Sequence, residues 1–243
     1  MLLLDVKNLS KRYSKKSDYT ISNINLKCNG GEIVGLLGHN GAGKSTTIKC
    51  LTGIHPYDQG TIKICGYDLK LDSINAKKNF GYVSDEFSLF EKMTGFEFIN
   101  FMADMYNVSS EERQIRIKEL QSLFMLGDAI YDSISSYSHG MKQKISVIAA
   151  LVHNPKLWVL DEPLTGLDPQ SSYQLKKVMK QHAQEGNTVF FSSHILDVVE
   201  NLCDRCCIIK KGKLQGVYDI AELKAKGESL EEIFVSVIGE EDK

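Results

Sequence analysis

Residues 32–45 read Glu-Ile-Val-Gly-Leu-Leu-Gly-His-Asn-Gly-Ala-Gly-Lys-Ser. The first six are nearly all apolar, as a short strand buried on both faces must be. The last eight, Gly38 to Ser45, fit the pattern G-x-x-x-x-G-K-[S/T], a match that chance supplies roughly once in 100 chains of this length. A helical run, 46–52, follows and stops at Gly53. Strand, glycine-rich loop and helix in that order suit the capture of phosphate. Glycines let backbone N–H groups converge on phosphate oxygens where a Cβ would obstruct them. The helix N-terminus adds its partial positive charge. Lys44 supplies a mobile cation to the outer phosphates, and the Ser45 hydroxyl is a ligand for Mg²⁺.

A second stretch complements the first. Residues 157–162, Leu-Trp-Val-Leu-Asp-Glu, read as a buried strand ending in two carboxylates, at the edge where ligands of parallel α/β sheets bind. Asp161 is placed to hold the Mg²⁺ shell, and Glu162 to accept a proton from attacking water or to orient it. A third, Tyr137-Ser138-His139-Gly140-Met141, opens a helix. Ser138 is a good N-cap and Gly140 leaves backbone N–H groups open.

The rest of the chain frames these motifs. Apolar residues at 2–9 and 21–26 predict two strands, and Asn29-Gly30-Gly31 predicts a turn between strands. Residues 61–64 predict another strand. Between 90 and 137 the pattern becomes helical, with capping boxes at Thr94-x-x-Glu97 and Ser109-x-x-Glu112. From 138 onward helices (138–153, 169–184, 195–202) alternate with apolar strands (157–160, 188–192, 205–209), which argues for a parallel sheet. A Lys211-Gly212 hairpin turn and an amphipathic helix at 229–237 follow.

Composition excludes several classes. The 243 residues are 42% hydrophobic and 25% charged, ordinary values for a folded domain. The net charge of −2 leaves no basic footprint for nucleic acid. The apolar stretches are far shorter than the ~18–20 residues of a membrane span, and Asp5 interrupts any leader pattern. The expected location is therefore cytoplasmic, or peripheral on the inner face of the cell membrane. Cys203-x-x-Cys206 has the spacing of half a zinc site. No second pair completes it, and the six cysteines read as buried, reduced thiols.

Taken together, these residues resemble the nucleotide-binding domain of ATP-binding-cassette (ABC) proteins. The order matches along nearly the whole chain: phosphate loop, helical insert, Ser138–Gly140 signature, Asp161-Glu162, Gly166-Leu167-Asp168, then His194. The likeness is greatest to the ATPase subunits of ABC-2-type exporters. It implies a P-loop NTPase α/β core with a mainly parallel sheet, an N-terminal antiparallel β subdomain and an inserted α-helical subdomain. The implied division is 1–85, 86–137, 138–218 and a tail at 219–243. ATP and Mg²⁺ are the implied ligands. Gly38, Asn40, Gly41, Ala42, Gly43, Lys44, Ser45 and Thr46 match the family's phosphate loop, and Tyr13 the aromatic that stacks on adenine. Ser138, Gly140 and Asp168 match segments that meet a second subunit and its nucleotide in a head-to-tail dimer. His194 matches the histidine that contacts the γ-phosphate, so Lys44, Glu162 and His194 form the implied catalytic set.

Two positions depart from the family pattern. Asp85 stands where glutamine is usual, and is expected to be a weakly held member of the metal shell. His139 stands where glycine is usual, and its imidazole is expected to donate to the partner's phosphate. The expected partners are a separate transmembrane permease subunit and a second ATP-binding subunit, identical or not, with no nucleic acid. The competing reading is a soluble ABC-type ATPase that drives a non-transport machine.

Overall fold

The computed structural model describes residues 1–85 and 90–239. The expected N-terminal strands form an antiparallel pair, β1 (Leu2–Lys11) and β2 (Ile21–Asn29). The turn at 29–31 makes no hairpin. It carries the chain into β3 (Ile33–Leu37) of a second sheet. The reason lies in the residues: β2 alternates buried with exposed positions, whereas β3 is buried throughout and needs cover on both faces. After α1 (Lys44–Leu51), the chain returns to the first sheet through β4 (Gln59–Ile64) and β5 (Tyr67–Asp68), in the order β2-β1-β4-β5.

α2 (Ser73–Lys78) then leads into β6 (Phe80–Val83). The helical segment holds α3 (Gly95–Met105), α4 (Ser110–Leu123) and two short 3-10 turns. Next come α5 (His139–Leu151), β7 (Leu157–Leu160), α6 (Pro169–Gln184), β8 (Thr188–Ser193), α7 (Leu196–Leu202) and β9 (Arg205–Lys210). The hairpin strand β10 (Lys213–Asp219), α8 (Ile220–Lys226) and α9 (Leu230–Gly239) follow. The second sheet runs β10-β9-β3-β8-β7-β6, parallel except for β10.

This sheet is the middle of three layers, and β3, β7, β8 and β9 divide their side chains by face. Ile33, Leu37, Trp158, Leu160, Val189, Phe191, Cys206 and Ile208 pack among α3, α5, α6 and α7. Their neighbours Val34, Leu36, Leu157, Val159, Phe190, Cys207 and Ile209 pack against α1 and the antiparallel sheet. The period of two is thus intact, though both sets are apolar. The cysteines take part in this packing: all except Cys65 are buried, and burial pushes the Cys207 thiol up to about 12.

Of the two expected capping boxes, one forms completely. Thr94 Oγ1 accepts from Glu97 N (3.2 Å) while Glu97 returns a carboxylate to Thr94 N (2.9 Å). The other is half made. Ser109 Oγ accepts from Glu112 N (3.3 Å), but the Glu112 carboxylate pairs with Arg116 one turn on (2.7 Å).

Two histidines are drawn out of water, His182 buried and His153 half-buried. His153 lies flat on Tyr106, ring centroids 3.6 Å apart, and its Nε2 donates to the Phe80 carbonyl (3.2 Å). His182 meets the edge of Trp158. Burial pulls both down to about 4, so each is neutral in the folded chain. Such a group stabilises the fold fully above its unfolded value of about 6.5. That contribution is lost as pH falls toward 4. The melting temperature is expected to drop between about pH 7 and about pH 5. His153→Phe, which keeps the stack on Tyr106, is expected to flatten the drop. Equal slopes for parent and variant in scanning calorimetry would contradict this assignment.

Candidate active site

Four adjacent strands deliver the predicted residues to one edge. In the order β3-β8-β7-β6, all parallel, the C-terminal ends lie side by side. The phosphate loop leaves β3, His194 follows β8, Asp161 and Glu162 follow β7, and Asp85 lies just past β6. Asp161 N donates to the Val83 carbonyl (2.9 Å), which extends the ladder one residue beyond the strands.

The loop's glycines are needed for two separate reasons. A Cβ on Gly38 would sit 2.6 Å from the Ile209 carbonyl oxygen, so the obstacle is steric. Gly43, the residue that caps α1, has φ +105, which disfavours any L side chain. Lys44 is 95% buried. Its Nζ donates to the Gly38 (2.8 Å) and His39 (3.2 Å) carbonyls and lies 3.2 Å from Glu162 Oε1. The second Glu162 oxygen lies 2.9 Å from His194 Nδ1. The structure therefore joins Lys44, Glu162 and His194 through one carboxylate. Glu162 also has φ +46, a left-handed conformation that costs a non-glycine residue about 1–3 kcal/mol.

Asp161 is fully buried. Its Oδ1 accepts from Ser192 Oγ (2.6 Å), while Oδ2 is buried with no hydrogen bond among the described residues. Burial raises its pKa, with smaller upward pushes from Asp85 and Glu162; the Ser192 and Ser45 hydroxyls act the other way. An orphaned carboxylate oxygen beside a serine hydroxyl, with Asp85 in electrostatic range, suits a hard divalent cation that binds oxygen. Tyr13 is exposed on the flank of the loop, its hydroxyl 3.3 Å from Thr46 Oγ1. Asn40 and Gly41 lie on the exposed crest of the loop, and Ala42 is buried beneath it.

Ser138 and Gly140 open α5, and Asp168 opens α6. Ser138 Oγ accepts from Met141 N (3.3 Å) and caps α5. Asp168 caps α6, accepting from Ser171 N (2.9 Å) and Ser171 Oγ (2.5 Å), and these bonds lower its pKa. Among the described residues, the side-chain bonds of Ser138 and Asp168 stay within those helix ends. A Cβ on Gly140 would meet nothing within 4 Å, so whatever its bareness accommodates approaches from outside. The His139 ring lies against Gly166, close enough that a Cβ there would sit 3.1 Å from Nε2.

Two residues escaped the sequence reading. Gln143, buried in α5, donates to the Pro163 carbonyl (3.1 Å) and ties that helix to the loop after Glu162. Ser192 is the other. A serine in a strand that reads as buried must find a polar partner, which was the available signal.

The ABC transporter family profile matches residues 21–165. The chain belongs to the ABC transporter family. Within it the chain is an ATP-binding ATPase. The linearmycin resistance ATP-binding protein LnrL of Bacillus subtilis (strain 168) is 36% identical over 240 residues, 98% of this chain and 76% of that protein. The methionine import ATP-binding protein MetN of Clostridium acetobutylicum is 32% identical over 228 residues, 91% of this chain and 70% of MetN. A solved structure described as the ATP binding subunit of an ABC transporter superposes with a TM-score of 0.91 at 32% identity, covering 97% of this chain and 99% of that one. These ABC relatives share the P-loop NTPase fold expected from the sequence.

The burial of Asp161 has a measurable consequence. Asp161→Asn removes a charge that the fold disfavours and keeps an acceptor for Ser192. At neutral pH the ligand-free variant is expected to melt about 2–4 °C above the parent, equivalent to ~1 kcal/mol in a chain of this size. A lower melting temperature would contradict the account of this carboxylate.

Proposed function

We propose that this chain powers a multi-chain ABC exporter by binding and hydrolysing Mg²⁺-ATP between two ATP-binding subunits. The observation that carries the reading is the convergence of Lys44, Asp161, Glu162 and His194 on one sheet edge. In this reading the backbone of Gly38, Asn40, Gly41, Ala42, Gly43 and Thr46 cradles the phosphates, and the exposed Tyr13 ring stacks on adenine. Ser45, Asp161 and, more loosely, Asp85 hold the cation. Bound there, the cation supplies charge neutralisation for the outer phosphates. Glu162 orients and deprotonates the attacking water. His194, which already holds that carboxylate, turns to the γ-phosphate.

The N-terminal ends of α5 and α6 support the dimer. The capped helix end at Ser138 and the open face of Gly140 match the family segment that serves the nucleotide of the other subunit, and we assign them that role here. Asp168, at the neighbouring helix end, lines that subunit contact. Neither half-site alone neutralises the γ-phosphate, so ATP closes the pair and hydrolysis releases it. The second subunit is either identical or a related chain.

No helix among the described residues is long and apolar enough to cross a membrane; the similarity to ATP-binding subunits of ABC transporters supports a separate permease and a place at the inner membrane face. A groove of about 540 Å³ between α3 and the β6 edge, lined by His55, Phe80, Tyr82, Phe98, Met102 and Tyr106, is open to such a partner. The similarity to LnrL, named for resistance, favours export over the import named for MetN. We further propose that 1–85 and 138–218 form the ATP-binding core, 86–137 the helical subdomain that meets the permease and 219–243 a C-terminal helical tail.

Glu162→Gln tests the reading. Turnover is expected to fall ~10²–10⁴-fold, the usual effect of removing a general base, with ATP binding retained. From detergent-solubilised native membranes, the ATP-loaded variant is expected to carry a multi-span protein with it. Parental turnover would contradict the role of Glu162. Recovery of soluble proteins or ribosomes alone would contradict the transport role.

A further inference from the structure

We propose that Ser192 is a positioning residue that sets both carboxylates of the site through one hydroxyl. Ser192 is fully buried at the end of β8. Its Oγ accepts from the backbone N–H of Glu162 (2.9 Å) and donates to Asp161 Oδ1 (2.6 Å). The polarity has one solution. An amide N–H only donates, so the hydroxyl takes it with a lone pair, and its single proton is left for Asp161.

Each bond does separate work. The bond to Asp161 fixes the carboxyl rotation and leaves Oδ2 as the oxygen without a hydrogen bond. The bond to Glu162 N helps hold that residue at φ +46, the backbone turn from which its side chain reaches both Lys44 and His194. The next serine does something else: Ser193 Oγ accepts from Ile195 N (3.0 Å). The pair is therefore not interchangeable: of the two hydroxyls, Ser192's is the one hydrogen-bonded to Asp161 and Glu162 among the described residues. Polar groups that orient a metal-binding carboxylate change metal affinity or activity ~10–100-fold when removed.

This inference rests on the proposed role of Asp161 at the cation, so the test carries a control for that role. Mn²⁺ binding to the full chain is titrated by electron paramagnetic resonance with a non-hydrolysable ATP analogue present. Analogue affinity is measured separately in EDTA. Ser192→Ala is expected to weaken Mn²⁺ binding ~10–100-fold and leave analogue affinity in EDTA unchanged. Ser192→Thr, which keeps the hydroxyl, is expected to bind Mn²⁺ like the parent. Where the alanine variant does not fold, Ser192→Cys, close in size and a weak donor, carries the same expectation. Asp161→Asn is expected to lose Mn²⁺ binding. If it does, and Ser192→Ala binds Mn²⁺ like the parent, the inference is overturned and the metal site stands. Equal loss in Ser192→Ala and Ser192→Thr reports packing alone and also overturns it. Parental Mn²⁺ binding by Asp161→Asn overturns the metal site and this inference together.

Discussion

The Glu162 carboxylate lies between Lys44 Nζ at 3.2 Å and His194 Nδ1 at 2.9 Å, and the site's organisation follows from that clasp. It joins the first residue of α1 to the residues that follow β7 and β8. Lys44 is almost fully buried, and an ammonium taken out of water needs a countercharge or several acceptors. Here it has both, in the form of two loop carbonyls and Glu162. A γ-phosphate offers the same lysine more charge. Arrival of nucleotide would therefore exchange one anion for another, and would free the Glu162 carboxylate for water.

The clasp exists because of the sheet. A parallel strand buried on both faces places its polar residues at its ends, since no position along it faces solvent. β3, β7 and β8 are apolar to within a residue or two of their C-termini and then turn polar together. The outcome is a site with a cost to the fold. Asp161 is buried with an orphan oxygen, and Glu162 sits at positive φ. Both features oppose stability in the empty protein, and the packing of Trp158, Phe190 and Phe191 in the same strands offsets them.

Much of this was legible in the sequence because the decisive signals are local. The loop's glycines, Lys44 and Ser45 are contiguous, the 157–162 run announces its own strand end, and the capping boxes flagged the helical segment. What was not legible is either short or distant. β5, α2 and β6 hold between two and six residues each, too few to show a period. α8 was hidden because only Ile220 and Leu223 of its residues are buried. The insertion of β8 between β3 and β7 depends on packing across the whole sheet, and it brings Ser192 to Asp161. The half-made box at Ser109 shows the same limit, since Arg116 competed for Glu112 from outside the motif.

In this arrangement Glu162 and phosphate compete for Lys44. The most direct measurement is ATP affinity in EDTA, by calorimetry, for the parent and for Glu162→Gln. With no cation and no turnover, the comparison reports the charge that Glu162 places beside Lys44 and His194. The variant is expected to bind more tightly, several-fold or more, because Lys44 is released before nucleotide arrives and a neighbouring negative charge is gone. Equal or weaker binding would contradict it.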